Sequence, residues 1–250
     1  MCAATLKVRW SGVVIGLRVI KIEDVMECVI VERVNRFVVR VRIDGRLFNA
    51  YLNNTGRLLN YMIEGRSGFC VEFDEPKRTS YRLFSIKDGA LGAVIDTQLQ
   101  MKAFEKAVET GFIPWLKGGS ILKRNVKLEG SVIDYLLKVD GDLIYLEVKS
   151  AVLRKGRYAL YPDCPSLRGR RHIRDLIDHV KEGGKGSVLF IAALPNVEAF
   201  KPNEAEDPEI YNLLLMGRKV GVDVKAIALY YDPEDSFIYL YNPDMEVEVP

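Results

Sequence analysis

Residues 131–150 constrain the fold more than any other segment, because two alternating apolar runs flank the dipeptide Asp140-Gly141. An Asp-Gly pair in this setting is the strongest short-range signal for a β-hairpin. A two-residue turn sets a register that places Asp134 directly opposite Glu147. Side chains alternate along a strand, so both carboxylates lie on one face of the hairpin and the other face is apolar. The predicted apolar face consists of Ile133, Tyr135, Leu137, Ile144, Leu146 and Val148.

The opposed carboxylates predict a bound cation. Like charges directly opposite each other destabilise a sheet, since their β-carbons are about 5 Å apart. A hard divalent ion, Mg²⁺ or Mn²⁺, between Asp134 and Glu147 removes this repulsion. Glu105 and Glu109, on a preceding predicted helix, are the candidates for a further ligand, and the helix phase does not choose between them. The alternative is an exposed hairpin in which Glu147 and Lys149 form a surface ion pair worth about 0–1 kcal/mol.

The spacing Asp-x12-Glu-x-Lys resembles the motif of the PD-(D/E)xK nuclease superfamily. This resemblance implies that Asp134 and Glu147 bind the metal ion. It also implies that Val148 contributes its backbone carbonyl, and that Lys149 orients or activates the attacking water and stabilises charge on the phosphate. The predicted catalytic residues are therefore Asp134, Glu147 and Lys149.

Charge is distributed unevenly behind a net charge of +2. Residues 1–86 carry 14 Lys/Arg against 9 Asp/Glu, and residues 150–185 carry 9 against 4, whereas residues 186–250 carry 4 against 12. Two basic regions predict a polarised surface that binds a polyanion such as DNA. Local patterning for solubility is the alternative.

Composition excludes several other classes of protein. Four widely spaced cysteines with no Cys-x-x-Cys pair argue against a zinc ribbon or a disulfide scaffold, and two histidines exclude a His-rich metal site. We predict no small-molecule cofactor. No apolar stretch approaches the length of a membrane span, and Arg9, Arg18 and Lys21 interrupt the apolar residues 1–22. We therefore expect no membrane or secretion signal and a cytoplasmic protein.

The first half of the chain predicts a small β-barrel. Five short apolar segments within some 60 residues are typical of an OB-fold. The alternation after residue 36 predicts inward Phe37, Val39, Val41 and Ile43, and outward Arg40 and Arg42. Beside Phe48, Tyr51 and Tyr81, the outward arginines are either a nucleic-acid surface or a solvated face. The five predicted strands are Cys28–Val34, Phe37–Ile43, Leu47–Leu52, Phe69–Phe73 and Tyr81–Ile86.

The second half alternates helix and strand, which predicts an α/β domain. We expect residues 1–24 to be a dispensable extension, residues 25–87 the OB-like barrel, and residues 88–250 a PD-(D/E)xK nuclease-like α/β domain. A first helix is expected from Asp96 or Thr97 to the glycine at 111. The other predicted elements are the helices Arg171–Glu182 and Asp207–Val220 and the strands Ser187–Leu194, Val222–Tyr231 and Phe237–Tyr241.

Three arginines within four residues, Arg168, Arg170 and Arg171, lie at the N-terminus of the predicted helix Arg171–Glu182. Arginine binds phosphate through its planar fork, and a helix N-terminus adds N–H groups and a favourable dipole. His172 is either a further phosphate contact or a structural histidine, and Asp163 is either a further group at the metal site or a turn residue. The predicted nucleic-acid-binding residues are Arg36, Arg40, Arg42, Arg168, Arg170, Arg171 and His172.

Dispersed motifs occur from about residue 28 onward. They are Arg33-Val34-Asn35-Arg36-Phe37, Asn53-Asn54-Thr55-Gly56, Lys77-Arg78-Thr79-Ser80-Tyr81, Asp96-Thr97-Gln98, Ile133-Asp134, Tyr145 to Ser150, Tyr161-Pro162-Asp163, Arg168 to Leu176 and Gly221-Val222. With these motifs the chain resembles the sugar fermentation stimulation protein A family. The resemblance implies an OB-fold, a nuclease-like domain and DNA binding; the alternative to a nuclease is a catalytically silent regulator of sugar-utilisation genes. Asn125 stands where an acidic residue is common in this family, Met101 where asparagine is common, and Val132 where arginine is usual.

Overall fold

The computed structural model describes residues 6–7, 16–75 and 78–249. The described residues form eighteen β-strands, three α-helices and one turn of 3-10 helix. The helices are α1 (Thr97–Glu109), α2 (Leu167–Lys181) and α3 (Pro208–Val220), and the 3-10 turn is Pro114–Leu116. The strands are β1 (Leu6–Lys7), β2 (Gly16–Lys21), β3 (Val25–Asn35), β4 (Val38–Ile43), β5 (Arg46–Leu52), β6 (Ser67–Glu72), β7 (Tyr81–Asp88), β8 (Leu91–Val94), β9 (Ser120–Leu128), β10 (Ser131–Val139), β11 (Asp142–Ser150), β12 (Leu153–Lys155), β13 (Tyr158–Tyr161), β14 (Lys185–Ala192), β15 (Ala199–Pro202), β16 (Asp223–Asp232), β17 (Phe237–Asn242) and β18 (Glu246–Val247).

Strands β3 to β7 close into a five-stranded barrel. The antiparallel run β5-β4-β3-β6-β7 is closed by a parallel pairing of β5 with β7. Alternation along β4 buries Val39, Val41 and Ile43 and directs Arg40 and Arg42 outward, as predicted. The inward prediction for Phe37 is wrong, because this residue lies in the turn before β4 and is 48% exposed.

The C-terminal domain is built on a mixed sheet in the order β2-β17-β16-β14-β11-β10-β9. Its central strands β11, β14 and β16 are parallel, and the outer strands are antiparallel. Helix α1 packs on the face that carries Tyr135, whereas α2 packs on the face that carries Glu147 and is in turn packed against α3. Strands β12, β13, β15 and β18 form a small second sheet. The predicted fold class, an OB-like barrel followed by an α/β domain, is confirmed.

Residues 16–21 of the predicted extension belong to the C-terminal sheet. They form β2, which pairs antiparallel with β17, and Arg18 donates to Asp235 at 2.7 Å. The expectation that residues 1–24 form an extension separate from the two domains is wrong for this strand, and their dispensability stays a prediction; residues 1–5 and 8–15 lie outside the described part of the chain.

One local prediction also differs from the structure. Helix α2 begins at Leu167 rather than Arg171, because the Ser166 hydroxyl caps it by accepting the N–H of Gly169 at 3.0 Å. No helix in the described residues is both long and apolar enough to cross a membrane.

Candidate metal-dependent active site

The β10–β11 hairpin has the register predicted from its Asp-Gly turn. Val139 pairs with Asp142, and Tyr135 pairs with Leu146. The backbone pairing of β10 with β11 ends at Tyr135, so Asp134 lies one residue beyond the paired segment.

Beyond the ladder, the Asp134 carboxylate takes the place of a backbone acceptor. Its Oδ2 accepts the N–H of Val148 at 2.8 Å. The N–H and C=O of one strand residue point to the same edge in an antiparallel pair. The carbonyl of Val148 therefore points to the same edge as Asp134.

Glu147 lies at the centre of the cluster and is only 2% exposed. Its Oε1 accepts from Lys149 Nζ at 2.5 Å and lies 2.6 Å from His172 Nδ1. Its Oε2 is buried and has no hydrogen-bond partner among the described residues. A buried carboxylate oxygen without a donor is unfavourable. A cation at this oxygen would remove that cost.

The charges of the cluster are strongly coupled. Burial and then the charge of Glu147 raise the pKa of Asp134 to about 6. Burial opposes ionisation of Glu147, but the charge of Lys149 and the hydrogen bond from His172 outweigh it and lower the pKa of Glu147. Burial likewise opposes the charge of Lys149, and the nearby Glu147 outweighs it and raises the pKa of Lys149. Lys149 is therefore an ammonium at neutral pH.

His172 belongs to this cluster rather than to the surface where a phosphate contact was expected. It lies on α2 and is 2% exposed. Arg168 Nε can only donate, and it lies 3.2 Å from His172 Nε2, so that ring nitrogen is the acceptor. Nδ1 then carries the proton and donates to Glu147. The 25-residue separation of His172 from Glu147 left no local pattern by which sequence could pair them.

The structure does not bring Glu105 or Glu109 to the carboxylate cluster. Glu105 accepts from the Tyr135 hydroxyl at 2.7 Å and from Arg124 at 2.5 Å. Tyr135 faces α1, on the side of the sheet opposite Asp134. Glu109 is exposed and pairs with Lys106 at 3.2 Å. The prediction of a third metal ligand from α1 is therefore wrong.

The predicted phosphate-binding arginines separate into two groups. Arg170 is 20% exposed and anchors α2 to α3, with its guanidinium 3.1 Å from Asp207 and 2.7 Å from Glu209. Arg40 pairs with Glu32 at 2.6 Å on the barrel surface. The remaining predicted arginines are exposed: Arg36, Arg42, Arg168 and Arg171.

The aromatic residues expected beside the barrel arginines do not all share their face. Tyr51 opposes Val38 and lies on the same face as Arg40. Phe48 opposes the buried Val41, and Tyr81 is 7% exposed. The prediction of an aromatic surface is wrong for Phe48 and Tyr81, because the strand register turns both rings inward.

Asp163 supports a barrel loop rather than the carboxylate cluster. Its Oδ2 accepts the N–H of Leu58 at 2.8 Å, across the interface between the domains. Of the two roles considered for Asp163, a turn residue agrees with this contact better than a group at the metal site. Within the described part of the chain, no group of three His, Cys, Asp or Glu side chains is arranged to hold a metal ion.

Both domains match known family models. Residues 31–95 match the SfsA N-terminal OB domain, and residues 98–235 match the Sugar fermentation stimulation protein RE domain. The chain belongs to the sugar fermentation stimulation protein family. The resemblance inferred from the sequence motifs is thereby confirmed.

Relatives in this family match nearly the whole chain. The sugar fermentation stimulation protein homologue of Pyrococcus furiosus is 43% identical over 234 residues, covering 92% of this chain and 100% of the relative. The homologue of Archaeoglobus fulgidus is 44% identical over 233 residues, covering 93% of this chain and 100% of the relative. The structure of Pyrococcus furiosus SfsA in complex with Ca²⁺ has a TM-score of 0.89 at 42% identity, covering 93% of this chain and 99% of that chain.

Proposed function

We propose that this member of the family binds DNA and hydrolyses phosphodiester bonds with Mg²⁺ or Mn²⁺ at the carboxylate cluster. The observation that carries the proposal is the juxtaposition of Asp134 with a buried Glu147 whose Oε2 has no partner in the described part of the protein. An ion pair between Glu147 and Lys149 explains neither the nearby Asp134 nor that oxygen. A divalent ion accounts for both.

The residues at the cluster fit a hard divalent ion. Asp134 and Glu147 would bind it through carboxylate oxygens and Val148 through its backbone carbonyl, an all-oxygen set. Mg²⁺ often takes only one or two protein carboxylates and completes its shell with water and substrate phosphate. The Pyrococcus furiosus relative is in complex with Ca²⁺, another hard divalent ion. When bound, the ion supplies a Lewis acid that offsets charge on the phosphate.

Lys149 and His172 have distinct roles in this proposal. Lys149 stays protonated, so it donates hydrogen bonds and positive charge to the phosphate or the attacking water and does not abstract a proton. His172 holds Glu147 by donating from Nδ1, and Arg168 fixes its tautomer. We infer that this support keeps Glu147 in one orientation at the cluster.

The exposed arginines supply the DNA-binding surface. Arg168 and Arg171 lie on α2 within a turn of His172, beside the carboxylate cluster. Arg36 and Arg42 are exposed on the barrel. Phosphate contacts from such residues give affinity that does not depend on sequence and falls as salt rises.

Replacing Arg171 by alanine should weaken DNA binding, whereas replacing Arg170 should destabilise the fold. Arg171→Ala removes an exposed phosphate contact, so we expect similar losses on all sequences and a salt slope reduced by about 1. Arg170→Ala leaves the fully buried Asp207 without its arginine, which lowers the free energy of unfolding by about 3 kcal/mol. Urea unfolding and salt-dependent fluorescence anisotropy measure the two effects. The structural role given to Arg170 is wrong if Arg170→Ala keeps full stability and loses DNA binding.

Replacing Asp134 by asparagine should stabilise the metal-free protein at neutral pH. The pKa of Asp134 is raised from 3.8 to about 6, so the folded state binds its proton more tightly and stability falls as pH rises from about 4 to 6. The amide of the variant keeps an acceptor for the N–H of Val148 and carries no charge. We expect a gain of about 1–3 kcal/mol at pH 7.5 in a chelator, and none at pH 4.

Thermal unfolding measures this gain. Added Mn²⁺ should raise the Tm of the wild type and leave that of Asp134→Asn unchanged. Asp178→Asn, at an exposed position paired with Lys181, is the matched control and should alter neither value. A variant that is less stable than the wild type at pH 7.5 would contradict repulsion between the two carboxylates.

A catalytically silent DNA-binding regulator of sugar-utilisation genes is the second candidate. It is favoured by the two donors that already satisfy Glu147 Oε1, namely Lys149 and His172. The deciding experiment incubates the wild type with single-stranded, duplex and mismatched DNA, in Mg²⁺, Mn²⁺ or chelator. Cleavage that requires metal supports the nuclease. DNA binding without cleavage under every condition supports the regulator.

A further inference from the structure

A polar cavity of about 240 Å³ lies between the barrel and the C-terminal domain, next to Lys149. The barrel contributes the loop 53–56, and the C-terminal domain contributes residues 148–150 and 161–164. Sequence analysis singled out two of these segments as motifs, Asn53-Asn54-Thr55-Gly56 and Tyr161-Pro162-Asp163. The roles proposed for the carboxylate cluster do not use either motif.

The barrel wall of this cavity is held in place from both domains. The Arg33 guanidinium donates to the carbonyls of Gly56 at 2.6 Å and Asn54 at 3.2 Å. From the other domain, Asp163 accepts from the N–H of Leu58 at 2.8 Å. A β-carbon at position 56 would lie 2.5 Å from an Asp163 carboxylate oxygen, so only glycine permits this approach. The wall is therefore formed before any ligand arrives.

Two buried hydrogen-bonding groups of the cavity residues have no protein partner. The side-chain nitrogen of Asn53 comes from the barrel and the hydroxyl of Ser150 from the C-terminal domain, and neither has a hydrogen bond within the described ranges. Leaving such groups unpaired is unfavourable. Both residues line the cavity. An acceptor-rich ligand would satisfy them.

We propose that this cavity receives one unpaired nucleotide of the DNA strand whose phosphate lies at the carboxylate cluster. The inference rests on the proposed function. The cavity residues Val148, Lys149 and Ser150 directly follow Glu147 on β11, and the phosphates of one duplex strand recur about every 3.4 Å of helix axis. The nucleotide next to the bound phosphate therefore reaches the cavity.

Size and chemistry select a single nucleotide. The volume lies below the roughly 300–1,000 Å³ of sites for drug-sized ligands, so one base enters and a base pair does not. Base edges carry the carbonyl and ring-nitrogen acceptors that suit Asn53 and Ser150. The substrate class is DNA in which this nucleotide is already unpaired, or is readily extruded at a mismatch, because extrusion from a paired stack is unfavourable.

The test uses the full-length Glu147→Gln variant, so that DNA is not cleaved, and two duplexes of equal length and charge. One duplex carries a mismatched 2-aminopurine, whose fluorescence rises when it leaves the base stack, and the other carries the same base paired with thymine. We expect about tenfold tighter binding of the mismatched duplex, with a rise in fluorescence. Adding Thr55→Trp fills the exposed rim of the cavity and should remove both effects. Adding Thr110→Trp, at an exposed position at the end of α1, should leave both.

Each other outcome overturns the inference in a recognisable way. Equal affinity for the two duplexes, with unchanged fluorescence, refutes the nucleotide cavity but leaves DNA binding at the cluster intact. Adenosine 5′-monophosphate that binds as tightly as the mismatched duplex would assign the cavity to free nucleotides instead. A protein that binds neither duplex refutes the proposed function together with this inference.

Discussion

Replacing Glu147 by glutamine is expected to lower metal-dependent DNA cleavage by about three powers of ten. The amide keeps the shape of the side chain but loses the charge that holds the metal ion. The bound ion supplies several kcal/mol of charge stabilisation in the transition state, and this contribution is lost with it. DNA binding should be retained or become stronger, because a negative charge near the phosphate is removed. Initial cleavage rates in Mn²⁺ and anisotropy in chelator measure the two quantities.

Glu109→Gln is the matched control for this change. Glu109 is exposed and pairs with Lys106 on α1, away from the cluster, so the same substitution there should leave the rate unchanged. If Glu147→Gln cleaves as fast as the wild type, the chemistry lies elsewhere and the proposed site is wrong. A parallel loss of DNA binding and of folding would instead make Glu147 a structural residue.

Replacing Lys149 by methionine should lower cleavage by about 10²–10³-fold while metal binding persists. Methionine keeps the length of the side chain without the ammonium, and the loss of one preorganised donor has an effect of this size in other active sites. Mn²⁺ should bind equally well or more tightly, since Glu147 Oε1 is freed from its ion pair with Lys149. Calorimetric titration with Mn²⁺, beside single-turnover cleavage, separates the two effects.

The control for Lys149 is Lys106→Met on α1, where the lysine is half exposed and paired with Glu109. Cleavage and Mn²⁺ affinity should both match the wild type. If Lys149→Met loses Mn²⁺ binding in proportion to cleavage, the lysine positions Glu147 and does not act on the phosphate or water. In that case the proposed metal site would still stand, but Lys149 would have no direct role in the cleavage step.

Local patterns determined most of the fold. The Asp-Gly turn fixed the hairpin register, because a two-residue turn leaves one pairing of the flanking strands. Alternation in β4 identified the barrel core at Val39, Val41 and Ile43. Helix α3 was predicted from Asp207, and this residue caps the helix by accepting the N–H of Ile210 at 3.1 Å. Each of these signals lies within a few residues of the feature it specifies.

Predictions were wrong where a distant contact competed with the local pattern. Strand β2 was missed because its pairing partner, β17, lies more than 200 residues away. Arg170 was expected to contact phosphate, but its preferred partner is the carboxylate of Asp207 on another helix. Glu105 or Glu109 was expected at the metal site, yet the strand register presents Tyr135 and Arg124 to Glu105 on the opposite face of the sheet.

The sequence by itself determined that Asp134, Glu147 and Lys149 share one face of a hairpin, because a turn and a two-residue period suffice to place them. Only the tertiary structure decided what surrounds them. Packing of α2 on the sheet brings His172 to Glu147 and buries the cluster, which couples its charges. Docking of the barrel loop on Asp163 forms the cavity beside Lys149. Such contacts depend on how separate elements pack, and residue spacing along the chain does not encode that packing.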